Sequence, residues 1–243
     1  MGVITFNGQS TEQLGLISQA IPVYEFPKKN YTYTHIPGRN GDLVMDSRSY
    51  ENVERTYYLA CIYANNTVFR DNAAMIISWL MGAKGYCRLE DSYEPDVYRM
   101  ASYVNNGSLT DIYETATTLN VTFNCKPQRY LKSGDVEVNI ASLDPNPTIY
   151  DALPLIKFKP TAVGTLTITV GNYVVEVDVV ESMVNKDNYI DSEIQHCYME
   201  GNISINEHVT LSEFPVLKAG TTSITFTGVN CSTKTIKPRW WKL

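Results

Sequence analysis

Histidine is scarce in this chain. Its three copies, His35, His196 and His208, stand alone in 243 residues. None belongs to an H-x-x-x-H or H-E-x-x-H pair, the spacing that turns two imidazoles toward one metal. Cysteine offers no substitute. Cys61, Cys87, Cys125, Cys197 and Cys231 lie far apart with no C-x-x-C pair. That leaves no zinc spacing, and an odd count leaves at least one thiol unpaired. Most fall in apolar, strand-like runs, where cysteine serves as a small hydrophobe. No metal, no cofactor and no catalytic residue are expected.

Other absences narrow the class further. No run of about 18 apolar residues occurs, so no membrane span is expected. The opening MGVITFNGQ has no basic region leading into a long apolar core, so no secretion signal is expected. Phe6 stands where a myristoylation motif requires Ser or Thr. The Asn-x-Ser/Thr triplets at Asn65, Asn106 and Asn202 therefore read as chance, and synthesis and folding are assigned to a cytoplasm. An excess of positive charge is missing too. Twenty Lys and Arg against 26 Asp and Glu give −6, which disfavours any general attraction for nucleic acid phosphates.

Tyrosine is abundant, 17 copies against 7 phenylalanines. Its large ring with a polar tip suits half-buried strands and protein interfaces. Period-2 alternation dominates. Leu119, Val121, Phe123 and Cys125 share one face of 118–125, and Leu166, Ile168 and Val170 alternate with threonines. Tyr173, Val175, Val177 and Val179 repeat the pattern after Gly171-Asn172, a two-residue hairpin signal that Asn106-Gly107 shares. Ile224 and Phe226 lie on one face of 222–227. These are half-buried antiparallel strands. One helix is predicted, Asp71 to Met81, with Asp71 as N-cap, Gly82 as left-handed stop, and an apolar face of Met75, Ile76, Trp79 and Leu80.

The pattern breaks at Lys132-Ser133-Gly134-Asp135 and at Asp144-Pro145-Asn146-Pro147. The expected fold class is mainly β. An N-terminal α+β domain over 1–133, sandwich- or barrel-like with one helix, precedes a C-terminal β-sandwich over 134–243.

The remaining clusters read more readily as structure than as sites. Glu90, Asp91, Glu94 and Asp96 gather four carboxylates in seven residues. Paired carboxylates serve glycoside hydrolysis or calcium, but this stretch lacks a calcium-loop spacing and reads as a solvated turn before a strand over 97–104. Gly38-Arg39-Asn40-Gly41 has no Gly-Lys-Ser/Thr, so it is a tight turn between strands 31–36 and 43–50, with Arg39 at its tip. No G-x-S-x-G elbow occurs. Lys237-Pro238-Arg239-Trp240-Trp241-Lys242 mixes cations with aromatics and reads as a terminal strand or docking element.

Several segments, in order, resemble the distal tail proteins of siphophages. They are Phe6-Asn7-Gly8, Leu14-Gly15-Leu16, Ile36-Pro37-Gly38-Arg39-Asn40-Gly41-Asp42-Leu43, Tyr50-Glu51-Asn52, Trp79-Leu80 and the run from Phe123 to Tyr130. Asp191-Ser192-Glu193, Phe214-Pro215-x-Leu217 and Lys237-Pro238-Arg239-Trp240 resemble the galectin-like sandwich of that family. The resemblance covers nearly the whole chain, and the P-G-R-N-G turn is its most specific piece. It implies a non-enzymatic hub in the virion, at the tail tip. The resemblance implies further that the N-terminal domain closes into a hexameric ring, single or as two stacked hexamers, that continues the tail tube. By the same resemblance a tail-associated lysin or spike hub protein is expected to attach there, with receptor-binding proteins on or near the C-terminal domains. Galectins grip sugar through H-x-N-P-R and a stacking Trp; the motif is absent, and Trp240 and Trp241 lie at the far end. A protein-docking role therefore takes precedence over the alternative, a carbohydrate-binding module for cell-wall saccharide. A glycosidase or peptidase working through Glu90–Asp96 ranks last.

Ring closure needs heterologous patches on each copy. Residues 57–63 carry apolar groups on both faces, Tyr57, Leu59 and Cys61 on one and Tyr58, Ala60 and Ile62 on the other. Tyr31, Tyr33, Arg39, Asn40, Tyr58 and Ile62 are the expected interface residues.

Overall fold

A computed structural model describes residues 2–63, 66–104, 110–112 and 116–243, and the side chains of all these but 66–69 and 110–112. The Asn106-Gly107 turn, Asn65 and Asn106 lie outside the described residues. The chain divides into two compact units, residues 1–129 with Leu243, and residues 130–242.

The first unit contains β1 (Ile4–Phe6), β2 (Gln9–Ser10), β3 (Leu16–Ser18), β4 (Lys29–Thr34), β5 (Leu43–Tyr50), β6 (Val53–Ile62), α1 (Asn66–Met81), β7 (Cys87–Asp91), β8 (Val97–Tyr103), β9 (Thr110–Ile112) and most of β10 (Ala116–Leu131). Its main sheet runs β2-β1-β7-β8-β10-β6-β3, with β9 also on β10. The β6–β10 pairing is antiparallel and in register from Ala116↔Ile62 to Cys125↔Val53. Alternation decides the inner face: Tyr57, Leu59 and Cys61 from β6 meet Leu119, Val121, Phe123 and Cys125 from β10 in one core. Phe6 packs on Phe123 with ring centroids 4.6 Å apart. Strands β4 and β5 form a separate two-stranded hairpin.

Helix α1 buries Ile76, Trp79 and Leu80 against this sheet, and the Trp79 indole N–H donates to the Phe6 carbonyl at 3.0 Å. Three details depart from expectation. The helix starts at Asn66, so Asp71 lies inside it rather than capping it. Met75 faces solvent, because the buried stripe is the 76-79-80 row. Gly82 is not left-handed; its N–H donates to the Ser78 carbonyl at 2.9 Å, and a Cβ there would lie 2.6 Å from that oxygen. The positive φ falls at Gly85.

The second unit is a sandwich. It contains β11 (Val138–Asn139), β12 (Leu155–Pro160), β13 (Gly164–Val170), β14 (Tyr173–Val179), β15 (Asn188–Asp191), β16 (His196–Met199), β17 (Ile203–Ser204), β18 (Val209–Leu211), β19 (Ile224–Gly228), β20 (Cys231–Lys237) and β21 (Trp241–Lys242). One sheet has the order β11-β20-β12-β15-β16-β17, the other β18-β14-β13-β19. Ile156, Phe158, Ile190 and Ile236 from the first share a core with Leu166, Ile168, Val175 and Val177 from the second. The β13–β14 hairpin turns at Gly171-Asn172, with Gly171 at φ 56°. All five cysteines are free thiols, and burial pushes Cys125 and Cys197 up to about 12, far from the reactive thiolate.

Phe123 sits wholly buried where β10 meets β1 and β6. Phe123→Ala is expected to cost about 3–5 kcal/mol in denaturant unfolding. A cost under about 1 kcal/mol would show that the site is not closely packed.

Candidate interaction surface

The hairpin β4–β5 gives the first patch. Its turn is set by Gly38 and Gly41, at φ 80° and 79°, conformations that favour glycine. The Arg39 N–H closes back on the Ile36 carbonyl at 3.1 Å, and Arg39 and Asn40 project into solvent. Along β4, Tyr31 and Tyr33 share one face, ring centroids 6.2 Å apart, opposite Asp46 and Val44 of β5. Lys29 anchors the base through Asp46 at 2.5 Å and lies over the Tyr31 ring. Thr32 and Thr34 face the other way, opposite Met45 and Leu43. Both faces are exposed, Tyr33 by 63%. A two-stranded hairpin with no third strand or helix against it is marginal in water.

The second patch is the outer face of β6. Tyr57, Leu59 and Cys61 point into the core, so Tyr58, Ala60 and Ile62 point out, Ile62 with 71% exposure. The six expected residues thus form two groups: Tyr31, Tyr33, Arg39 and Asn40 on the hairpin, and Tyr58 and Ile62 on β6. All lie in the first unit.

Residues 92–96 form the expected turn before β8, with Ser92, Pro95 and Asp96 in solvent, but two of the segment's four carboxylates are not solvated. Asp91, at the end of β7, and Glu94, in the turn to β8, are buried in an ionic network. Arg55, whose side chain keeps 3% exposure, reaches Asp91 Oδ2 at 3.2 Å and Glu94 Oε2 at 3.8 Å. It also donates to the Val23 carbonyl, 3.2 Å. The Tyr57 hydroxyl donates to Asp91 Oδ2 at 2.7 Å, while Asp91 Oδ1 accepts from the Tyr93 and Glu94 amides. Glu94 is paired with Arg99 and with Arg129 Nη1, the latter at 2.7 Å. Burial pushes the Glu94 carboxyl up, but hydrogen bonds from Tyr24, Arg99 and Arg129 outweigh it and hold the group at about 2. Burial, then the Asp91 charge, raises Tyr57 well above the usual phenol range.

A general acid needs a raised carboxyl pKa, and Glu94 has the opposite. A cavity of about 190 Å³ beside the network is lined by Tyr24, Phe26, Arg55, Arg99, Lys126 and Arg129 among others, and its three arginines are each held by a carboxylate. One sequence signal did point here. Arg55 occupies a core position in the β6 alternation, and a buried arginine requires buried carboxylates.

The histidines do not converge. His35 is exposed beside Asp42 at 3.3 Å, His196 contacts Asn206 at 3.0 Å, and His208 lies near Glu207. No group of metal-ligating side chains forms among the described residues. In the second unit, two of the sequence motifs form one clamp. Arg239, at φ 56°, grips both oxygens of Asp191 at 2.6 and 2.9 Å. That places Trp240 in the core, and Trp241 stacks on Tyr150 at 4.5 Å and donates to the Asp151 carbonyl. Neither tryptophan is a free platform for a sugar.

No protein-family profile matches the chain, and no curated protein sequence matches it. Solved structures do. The SPP1 Dit protein (gp 19.1), described as a paradigm of the hub adsorption apparatus in phages infecting Gram-positive hosts, superposes with a TM-score of 0.71 at 12% identity over 97% of this chain and 96% of that one. A chain of the phage p2 baseplate in its activated conformation matches with TM-scores of 0.57 and 0.58, at 7% and 6% identity, in the strontium and calcium structures. Each covers 97% of this chain and 96% of the other. At these identities the likeness is one of fold, mainly β in two parts, and it extends through both units.

Glu94 supplies the pH test. Its folded value lies below the ordinary 4.5, so its contribution is present above 4.5 and is lost as pH falls toward 2. That contribution is on the order of 3 kcal/mol. Glu94→Gln should lose about that much at neutral pH, with the gap to the parent narrowing on acidification, as read by denaturant midpoints. A gap of equal size at neutral pH and at pH about 3 would show that the network does not hold Glu94 ionised.

Proposed function

We propose that this chain is a structural, non-catalytic subunit of the tail tip of a long-tailed phage with a non-contractile tail. In this reading it is a distal tail protein that works by shape. The observation that carries the reading is the whole-chain likeness of fold to the SPP1 hub protein. The ordered motifs from Phe6-Asn7-Gly8 to Lys237-Pro238-Arg239-Trp240 support it from the sequence side.

The N-terminal domain, residues 1–133, closes with identical copies into a hexameric ring, one or two stacked, with an opening wide enough to pass DNA. The ring joins the tail tube protein to the tail-associated lysin or spike hub protein. The C-terminal domain, residues 134–243, is a galectin-like docking module near the receptor-binding proteins. The subunit folds in the bacterial host cytoplasm before it enters the virion.

Ring closure requires that one patch meet a different patch on the next copy. The hairpin with Tyr31, Tyr33, Arg39 and Asn40 is one such patch, and the Tyr58–Ile62 face of β6 is the other. Each exposes large apolar groups, and among the described residues no strand or helix of its own unit covers the hairpin. Burying both on a neighbour removes this exposed surface and supports the hairpin.

Ile62→Asp and Tyr58→Asp place an unpaired carboxylate in that contact. Each should yield monomers at concentrations at least about tenfold above those at which the parent assembles. Circular dichroism and the melting temperature should stay unchanged. Sedimentation velocity reads the outcome; rings of unaltered size in both variants would remove β6 from the interface.

A further inference from the structure

The sandwich protects three of its four sheet edges by shortness. Strands β11 and β17 have two residues each and β18 has three. Strand β19 ends its sheet with five residues, Ile224–Gly228, and bears no charge and no proline. Natural sheets blunt such edges because unpaired backbone groups recruit another strand.

The ladder shows which groups are free. The Val229 N–H donates to the Thr165 carbonyl at 3.1 Å, and the Gly171 N–H to the Ser223 carbonyl at 2.8 Å. Bonded pairs alternate in an antiparallel ladder, so Thr225 and Thr227 turn their amides toward β13, and Ile224 and Phe226 turn theirs outward. The side chains of Ile224 and Phe226 pack on the core and stay half-buried, because the core is uncovered on that side.

Charge selects the occupant. The Lys234 ammonium lies 5.2 Å from the Phe226 ring centroid and pairs with no carboxylate among the described residues. A second copy fits poorly. β19 has no acidic residue to offer, and antiparallel self-pairing about Phe226 would bring two Lys234 ammoniums to the same contact.

We propose that the outer edge of β19 is a strand-addition site for an extended segment of another protein, one carrying a carboxylate on the same face as its alternating apolar residues. Main-chain bonds to Ile224 and Phe226 supply the attachment. The apolar side chains continue the core past Phe226, and the carboxylate meets Lys234. The site lies wholly in the second unit and does not depend on ring closure.

The test uses the full chain and two synthetic peptides, Thr-Val-Thr-Glu-Thr-Val-Thr, whose Glu lies on the same face as its two valines, and its counterpart with Lys in place of Glu. With saturating acidic peptide, amide hydrogen exchange at Ile224 and Phe226 should slow by about tenfold or more. The Lys peptide should bind about threefold or more weakly, and Lys234→Glu should invert the preference. Three results would overturn the proposal: unchanged exchange at those amides, equal affinity for both peptides, or protection that grows with protein concentration when no peptide is present.

Discussion

Arg55 is a cation kept almost wholly from water on the inner face of β6, and the strands beside it are arranged around that fact. An unpaired buried charge is untenable, and removing one partner of a buried pair costs about 3–5 kcal/mol. The network therefore constrains far more than one side chain. Arg55 comes from β6, Arg129 from β10, Arg99 from β8, and Asp91 from the end of β7, four adjacent strands of the sheet. Glu94, in the β7–β8 turn, links Arg55, Arg99 and Arg129. A slip of one residue in any of these strands would turn a charged member away from its partners. The ion pairs thus set register, and apolar burial below them supplies the main stabilisation.

Register in β6 has a consequence for the outer surface. With Arg55, Tyr57, Leu59 and Cys61 turned inward, Tyr58 and Ile62 must point outward. The exposed apolar face follows from the buried charge. The β4–β5 hairpin presents a second exposed apolar surface, and the two together suit a subunit completed by its neighbours.

Period-2 signals were legible wherever one face is buried and the other wet. The runs from Leu166 to Val170 and from Val175 to Val179 read directly as β13 and β14, with Gly171 marking their turn. The P-G-R-N-G segment likewise read as the turn between β4 and β5. Element ends were less legible. β10 continues to Leu131 through Lys126-Pro127-Gln128-Arg129, a stretch whose polarity conceals a strand. Pro127 is admissible because the β6 ladder stops at Cys125↔Val53, so no β6 bond is lost there. The start of α1 and its Gly82 end were misread because caps depend on backbone geometry that residue type alone does not fix.

Asp91 and Glu94 were misread for a different reason. Their partners Arg55 and Arg129 lie more than thirty residues away in the sequence, and no local spacing rule connects them. The clamp between Arg239 and Asp191 was hidden in the same way, although both ends were visible as separate motifs. Sequence reveals local periodicity well; it reveals long-range charge pairing only as a residue in an unexpected place, as Arg55 is. The most direct measurement of the central claim is the mass of the purified parent chain by multi-angle light scattering, paired with negative-stain images. The account predicts six subunits, or twelve, in annular particles with a central opening. A single-subunit mass at every concentration, with no annular particles, would contradict it.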